Sequence, residues 1–341
     1  MELLLVILIG FIQLFPAVLS EESSACQILN PQKYLIITAD DFGASENINE
    51  GIALAAEKKA ITEISVLTNF RESLPQLKKI ATDHPEIGIG VHLNITTGRP
   101  VLSPDKIPSL VSETGNFYTI EEIFIRLTNI SLTELKIELR AQIIALRESG
   151  ITPDHLSDQH GILSLYSPLF DVVIELAKEF SLPLRSPVLA GMKYPDLFPE
   201  SEMRKYWKKT GIRYALANPI AIYSLIRYGR IDEMEYKVQK LNDSGILHPD
   251  YLIELFWGNP TPSNFIYIIE HLPQGVSEII LHLGTFSRQE YYPSGLDQQY
   301  FVNRERELIV ITSDYLKKYF DHFGISVIGF KDLKTAGKEP G

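Results

Sequence analysis

The chain has 341 residues, 45% of them hydrophobic, which is enough apolar material for one large α/β domain and argues against disorder. Its 43 acidic residues against 32 basic ones leave a formal charge of −11 with no basic run to track a phosphate backbone, so nucleic acid is not an expected partner and neutral ligands such as sugars are compatible. With one cysteine no intrachain disulfide can form, and the fold must rest on its core.

Residues 1–20, MELLLVILIGFIQLFPAVLS, read as a secretory signal peptide, with Val18 and Ser20 as the small residues ahead of the polar EESSAC. Export to the periplasm or the medium follows, without membrane attachment after cleavage. Glu2 in place of a basic residue keeps an uncleaved anchor helix as the alternative.

From about residue 33 short β-rich runs alternate with longer helical patterns, the rhythm of parallel strands joined by crossover helices. YLIIT, EISVLTN, GIGVHLN, PDHLSD, PLRSP, SEIILHLG and ISVIGF are the expected strands. NEGIALAAEKKA, SLPQLKKIATDH, SLTELKIELRAQIIALRESG, SPLFDVVIELAKEF and NRERELIVITSDYLKKYF carry apolar residues three and four apart, as helices packed on a sheet require. About seven parallel strands with outer helices, in a single domain over 33–335, suggest a (β/α) barrel, complete or distorted, rather than an open sheet, although the strand count alone does not separate the two. The aromatic and charged stretch at about 196–265 reads as an irregular insertion or cap over the catalytic face.

The polar residues fall where such strands end. Asp40 and Asp41 follow the first strand, His92 sits in GIGVHLN, His160 follows PDHLSD, and His282 ends SEIILHLG. In an α/β barrel the carboxyl ends of the strands share one mouth, so these groups converge there. Asp41, His92 and His160 form a set of ligands for one divalent ion, Zn2+ or Mg2+, with positions left for water and substrate. Such an ion can activate water against an amide or ester, and it offsets the repulsion between adjacent aspartates. Asp40 is then the general base, and the His282 imidazole the acid that protonates a leaving amine near neutrality. Arg304 and Arg306 are candidates to orient Asp40 or hold a substrate hydroxyl. Trp207, Trp257, Tyr291 and Tyr292 could stack on a sugar ring or belong to the core. Each reading has a structural competitor: ADDFG as an Asx turn capping the next helix, and His92 as a core histidine. His155, His84, His248, His271 and His322 read as structural.

In order and spacing, LIITADDFGASENINEGI, IGVHLNITTGRPV, PDHLSDQHG and LPQGVSEIILHLG resemble the YdjC-like carbohydrate deacetylases, the family that includes chitooligosaccharide deacetylase. The resemblance runs from about Tyr34 to about Leu333. It implies a distorted barrel, a divalent metal held by an aspartate and two histidines, and hydrolysis of the N-acetyl group from N-acetylglucosamine-containing saccharides. Carried over by motif, Asp41 and His92 are ligands, Asp40 the base and His282 the acid. In the third motif, alignment on Asp158 puts His160 in the ligand slot, whereas an ungapped alignment from His155 puts Gln159 there; imidazole is the better zinc ligand. The expected partner is an acetylated amino-sugar oligosaccharide or polysaccharide, and a homodimer is compatible. The rival functions are a non-catalytic saccharide-binding barrel, a metal phosphoesterase and a glycosidase. A glycosidase needs carboxylates roughly 5 to 9.5 Å apart across a sugar, which adjacent aspartates are poorly placed to provide.

Overall fold

The structure, a computed structural model, describes residues 32–197, 218–254, 260–286 and 298–337. Strands β1 (Lys33–Phe42), β2 (Glu63–Val66), β3 (Gly88–Leu93), β4 (Leu156–Asp158), β5 (Tyr251–Ile253), β6 (Gly275–Leu281) and β7 (Ile325–Val327) form one seven-stranded sheet, every pairing parallel. The order is β4-β3-β2-β1-β6-β5, and β7 pairs only with the first residues of β1. Between β5 and β4 the chain at 184–189 closes the curl. Leu184 bridges Leu156 and Leu189 bridges Leu252, both parallel.

Alternation along the strands sorts side chains into two environments. Leu35, Ile37 and Ala39 face outward into the main apolar core, under α1 (Glu46–Glu57), α2 (Leu74–Asp83), α3 (Leu132–Glu148) and α4 (Ser167–Phe180). Between them, Ile36 packs with Val276, Phe330 and Leu333 in a small apolar plug at the amino-terminal end of the barrel. Above that plug the interior turns polar: Thr38 donates to Glu278, and Glu63, Ser65, His155 and Ser157 are fully buried. Room for this layer comes from glycines. A Cβ on Gly90 would lie 2.4 Å from the His155 ring, and one on Gly88 would lie 2.0 Å from Glu63 Oε2.

The helices begin where capping chemistry places them. Ser45 accepts from Ile48 N to start α1, and Ser131 accepts from Glu134 N to start α3. The cap of α1 is therefore Ser45, not an aspartate of the DD pair. Within the stretch expected as an insertion, Tyr251–Ile253 is β5, a stave of the barrel, and α5 (Ile231–Asp243) precedes it. That strand is only three residues long, too short for alternation to reveal in sequence. PLRSP, expected as a full strand, makes one isolated bridge, at Leu184, and a second follows it at Leu189, because Pro183 and Pro187 interrupt donor sites along it. The last expected helix is split: α6 (Gln298–Ile311) ends before a separate helix at Lys317–His322. Among the described residues no single helix is long and apolar enough to cross a membrane. The signal-peptide reading of residues 1–20 falls outside the described residues.

Candidate active site

Adjacent residues on a regular strand point to opposite faces, so two neighbouring aspartates cannot both reach one mouth without a distortion. The distortion is present. The β1–β2 register shifts between Ala39 and Phe42, and Asp41 adopts φ 73°, a left-handed conformation that aspartate tolerates better than most residues. Asp40 continues the inward series of Thr38, and the bulge turns Asp41 toward the same mouth.

Each aspartate has its own arginine. Arg185 donates from Nη1 and Nη2 to the two oxygens of Asp40, both at 2.8 Å, and from Nε and Nη2 to Glu278 at 3.0 and 2.8 Å. Arg304, fully buried on α6, donates to Asp41 Oδ2 at 2.5 Å and lies over the Tyr300 ring. Burial pushes the Asp40 carboxyl up, but Arg185 and then His92 outweigh it and hold it at about 2. For Asp41, burial is likewise outweighed by Arg304, then His282 and His92, which keep it well below the usual carboxylate range. Both are ionised at neutrality.

His92, on β3, brings Nε2 to 3.8 Å from Asp41 Oδ1 and 3.9 Å from Asp40 Oδ2. It therefore faces the acid pair and not the apolar core. Its Nδ1 meets Ser157 Oγ at 2.8 Å, and burial, opposed by Asp40, pulls the imidazole down toward the neutral form. Ser157 continues inward to Ser65 at 3.0 Å, and Ser65 to His155 Nε2 at 3.2 Å. His155 stacks on Phe330 and pairs with Asp154 and Glu63, whose hydrogen bonds overcome burial and raise it, so it is an imidazolium strut between two acids. One donor atom each from Glu63, Asp154 and His155 lies within 4.8 Å of the others, a spacing that could also suit a cation, but the charged imidazole already occupies the place between the two acids.

After β4 the chain turns through His160 (φ 60°) and Gly161 (φ 64°). His160 Nδ1 meets Thr96 Oγ1 at 2.9 Å, and burial, opposed by Asp41, draws it down to about 3. It is near enough to Asp41, His92 and His282 to feel their charges. Gln159 and His160 both line the cleft, with Asp40, His92, Asp158 and His282. Asp158 is committed elsewhere, accepting from the Ser164 backbone and hydroxyl at 2.9 and 3.0 Å. His282 follows β6, its backbone N–H held by Glu307 at 2.7 Å.

The donor set fits a divalent cation. Asp41 Oδ1 is buried without a hydrogen-bond partner among the described residues and faces His92 Nε2, while His92 and His160 each have Nδ1 engaged by a hydroxyl, leaving Nε2 as the ligating atom.

The structure thus gathers Asp40, Asp41, His92, His160 and His282 at one mouth. Arg304 reaches Asp41, whereas the expectation had it orient Asp40; the residue on Asp40 is Arg185. Arg306 is exposed, two residues from Arg304 and hence on the far side of α6, so it does not reach the cleft. Trp207, Trp257, Tyr291 and Tyr292 lie outside the described residues. Arg185, Glu254 and Glu278 were missed. The available signal was charge within apolar runs, Arg185 in PLRSP and Glu278 in SEIIL, since a charged residue in a buried strand needs a partner.

A parallel barrel with carboxylates and imidazoles gathered at the carboxyl ends of its strands defines the class as an α/β-barrel protein of the hydrolase type. Within that class the chain belongs to the family described as YdjC-like protein, whose profile matches residues 34–322. It is 28% identical over 306 residues to a carbohydrate deacetylase of Brevibacillus brevis, covering 88% of this chain and 99% of that one. It is 34% identical over 153 residues to a carbohydrate deacetylase of Geobacillus stearothermophilus, covering 45% of this chain and 59% of that one. To the chitooligosaccharide deacetylase of Proteus mirabilis it is 32% identical over 160 residues, covering 47% of this chain and 61% of that one. The match thus spans about three fifths of the length of several curated relatives. Among solved structures, an Enterococcus faecalis protein described as a cellobiose-phosphate cleavage protein superposes with a TM-score of 0.68 at 24% identity, over 89% of this chain and 99% of that one, a likeness of fold.

Proposed function

We propose that this protein is a metal-dependent carbohydrate deacetylase that hydrolyses the N-acetyl group of N-acetylglucosamine-containing saccharides. The observation that carries the reading is the bulge in β1, which sets both aspartates against His92 Nε2 at 3.8 and 3.9 Å. The names of the relatives support the substrate class.

Asp41, His92 and His160 would hold the cation, which when bound supplies Lewis acidity toward the acetyl carbonyl and acidifies water. Arg304 fixes Asp41 through Oδ2, leaving Oδ1 free for ligation. Asp40 takes the proton of the attacking water at a carboxylate oxygen. The paired bonds from Arg185 keep it ionised and fixed in plane, and each oxygen retains a second lone pair for that proton. His282 gives a proton to the sugar nitrogen as the C–N bond breaks, so acetate leaves and a free amine remains. Arg185 holds Asp40 and Glu278 together, so the charged groups beside the ligand set are positioned before substrate binds.

The test is metal analysis of the purified protein followed by acetate release from N-acetylated chitooligosaccharides. Release that is lost with chelator and restored by a divalent ion supports the reading. A protein that binds such sugars yet releases no acetate with any divalent ion is the saccharide-binding alternative. The apolar leader at 1–20 supports export, which fractionation of expressing cells tests.

A further inference from the structure

Glu254 directly follows β5 at the barrel mouth, and no role for it follows from the steps above. Its side chain is 7% exposed and lines the cleft with Asp40, Arg185, Leu252 and His282. Among the described residues none hydrogen-bonds its carboxyl, and Oε2 is fully buried and unpaired. The other buried acids of this layer differ. Asp40 has Arg185, Asp41 has Arg304, Asp158 has Ser164, and Glu278 has Thr38 and Arg185. A buried polar group without a partner is a standing cost to the fold, which a ligand entering the cleft removes.

The charges around it decide its form. Asp40 of β1, Glu278 of β6, Asp158 of β4 and Arg185 of the 184–189 segment act on it, and His92, His160, Tyr228, Lys237 and His282 line the same cleft. The guanidinium of Arg185 is already spent on Asp40 and Glu278. Burial pushes the Glu254 carboxyl up to about 8, opposed by Arg185 and reinforced by Asp158, Asp40 and Glu278. At neutrality the group is a neutral acid with one O–H donor and acceptor oxygens. That suits a hydroxyl, which both gives and takes a hydrogen bond, better than it suits a cation or an anion.

We propose that Glu254 is a substrate-contacting residue that hydrogen-bonds a ring hydroxyl of the acetylated sugar and so selects a sugar over a plain acetamide. This rests on the deacetylase reading and names the group on this face that recognises the ring.

The experiment compares wild type, Glu254→Gln and Glu254→Ala, loaded with zinc, by acetate release from di-N-acetylchitobiose and by calorimetric binding of the same sugar in an Asp40→Asn background. Glu254→Ala is expected to raise KM and Kd about tenfold with kcat within about twofold, and Glu254→Gln, which keeps a donor and an acceptor, to stay within about threefold of wild type. Glu254→Gln does not melt below wild type, because it keeps the side-chain volume and, among the described residues, no hydrogen bond to the carboxyl is lost. Acetate release with unchanged KM and Kd in Glu254→Ala overturns the Glu254 assignment alone. Binding that weakens in Glu254→Ala, without acetate release by wild type, overturns the hydrolytic reading and supports Glu254. Neither binding nor release by wild type overturns both.

Discussion

Replacing Arg185 with methionine tests the arrangement at its most heavily loaded point. The guanidinium makes four hydrogen bonds, two to Asp40 and two to Glu278, all between groups that are buried. Methionine keeps much of the length and apolar volume but leaves two carboxylates in the barrel interior without their cation. Asp40 is held at about 2 against an ordinary 3.8, which by linkage is worth about 2 kcal/mol of stability. Because that value is depressed, the contribution is present above pH 3.8 and is lost as pH falls toward 2. The uncompensated Glu278 adds to the loss, and breaking a buried pair by removing one partner costs about 3–5 kcal/mol. For a domain of this size that corresponds to a fall in Tm on the order of 10 °C. Thermal melts at pH 7 read the loss directly. The profile of kcat/KM against pH reads a second effect: without Arg185, burial lifts Asp40 above its ordinary value and the acid limb moves up by more than about one pH unit. Arg185→Met/Glu278→Gln should recover part of the stability, since one stranded charge is removed. A melt indistinguishable from wild type, together with an unmoved acid limb, would show that the Arg185 pairing does not control Asp40.

Other outcomes follow from the same geometry. Ser157→Ala removes the partner of His92 Nδ1 and should weaken metal binding about 10- to 100-fold in a chelator competition while the fold is retained; unchanged affinity would remove Ser157 from the site. Asp40→Asn should keep its metal and lose at least about 100-fold in kcat, whereas His92→Ala should lose both metal and turnover, as metal analysis and acetate release would report. Gly51→Ala places a Cβ 2.5 Å from Gly284 Cα, where the loop after His282 crosses α1, and should cost about 1–3 kcal/mol by denaturant titration along with some kcat. The raised value at Glu254 means the fold favours its neutral form, so its contribution to stability falls as pH rises from 4.5 to about 8. Glu254→Gln should therefore melt higher than wild type by a margin that grows across that window and then levels.

Strand β1, β3 and β6 were legible because each has enough residues for an apolar run to stand out, and the alternation with helical patterns dictated a parallel sheet. α1 and α3 were legible from apolar spacing, and their start points are explained by Ser45 and Ser131. The convergence of Asp40, Asp41, His92, His160 and His282 could be inferred once the strands were parallel, since their carboxyl ends must share a face. Short β5 carries too few residues to announce a stave, and Glu254 was missed with it; PLRSP was legible as a strand, but Arg185 within it was not read as a site residue.

Composition, the strand–helix rhythm and the placement of acids and imidazoles at strand ends thus determined the fold class and the residues of the mouth. Tertiary structure alone decided which cation meets which carboxylate: Arg185 comes to Asp40 from 145 residues away and Arg304 to Asp41 from 263. Local patterns carry periodicity, but the pairing of buried charges depends on which staves become neighbours when the sheet curls, and that is set by the packing of the whole chain.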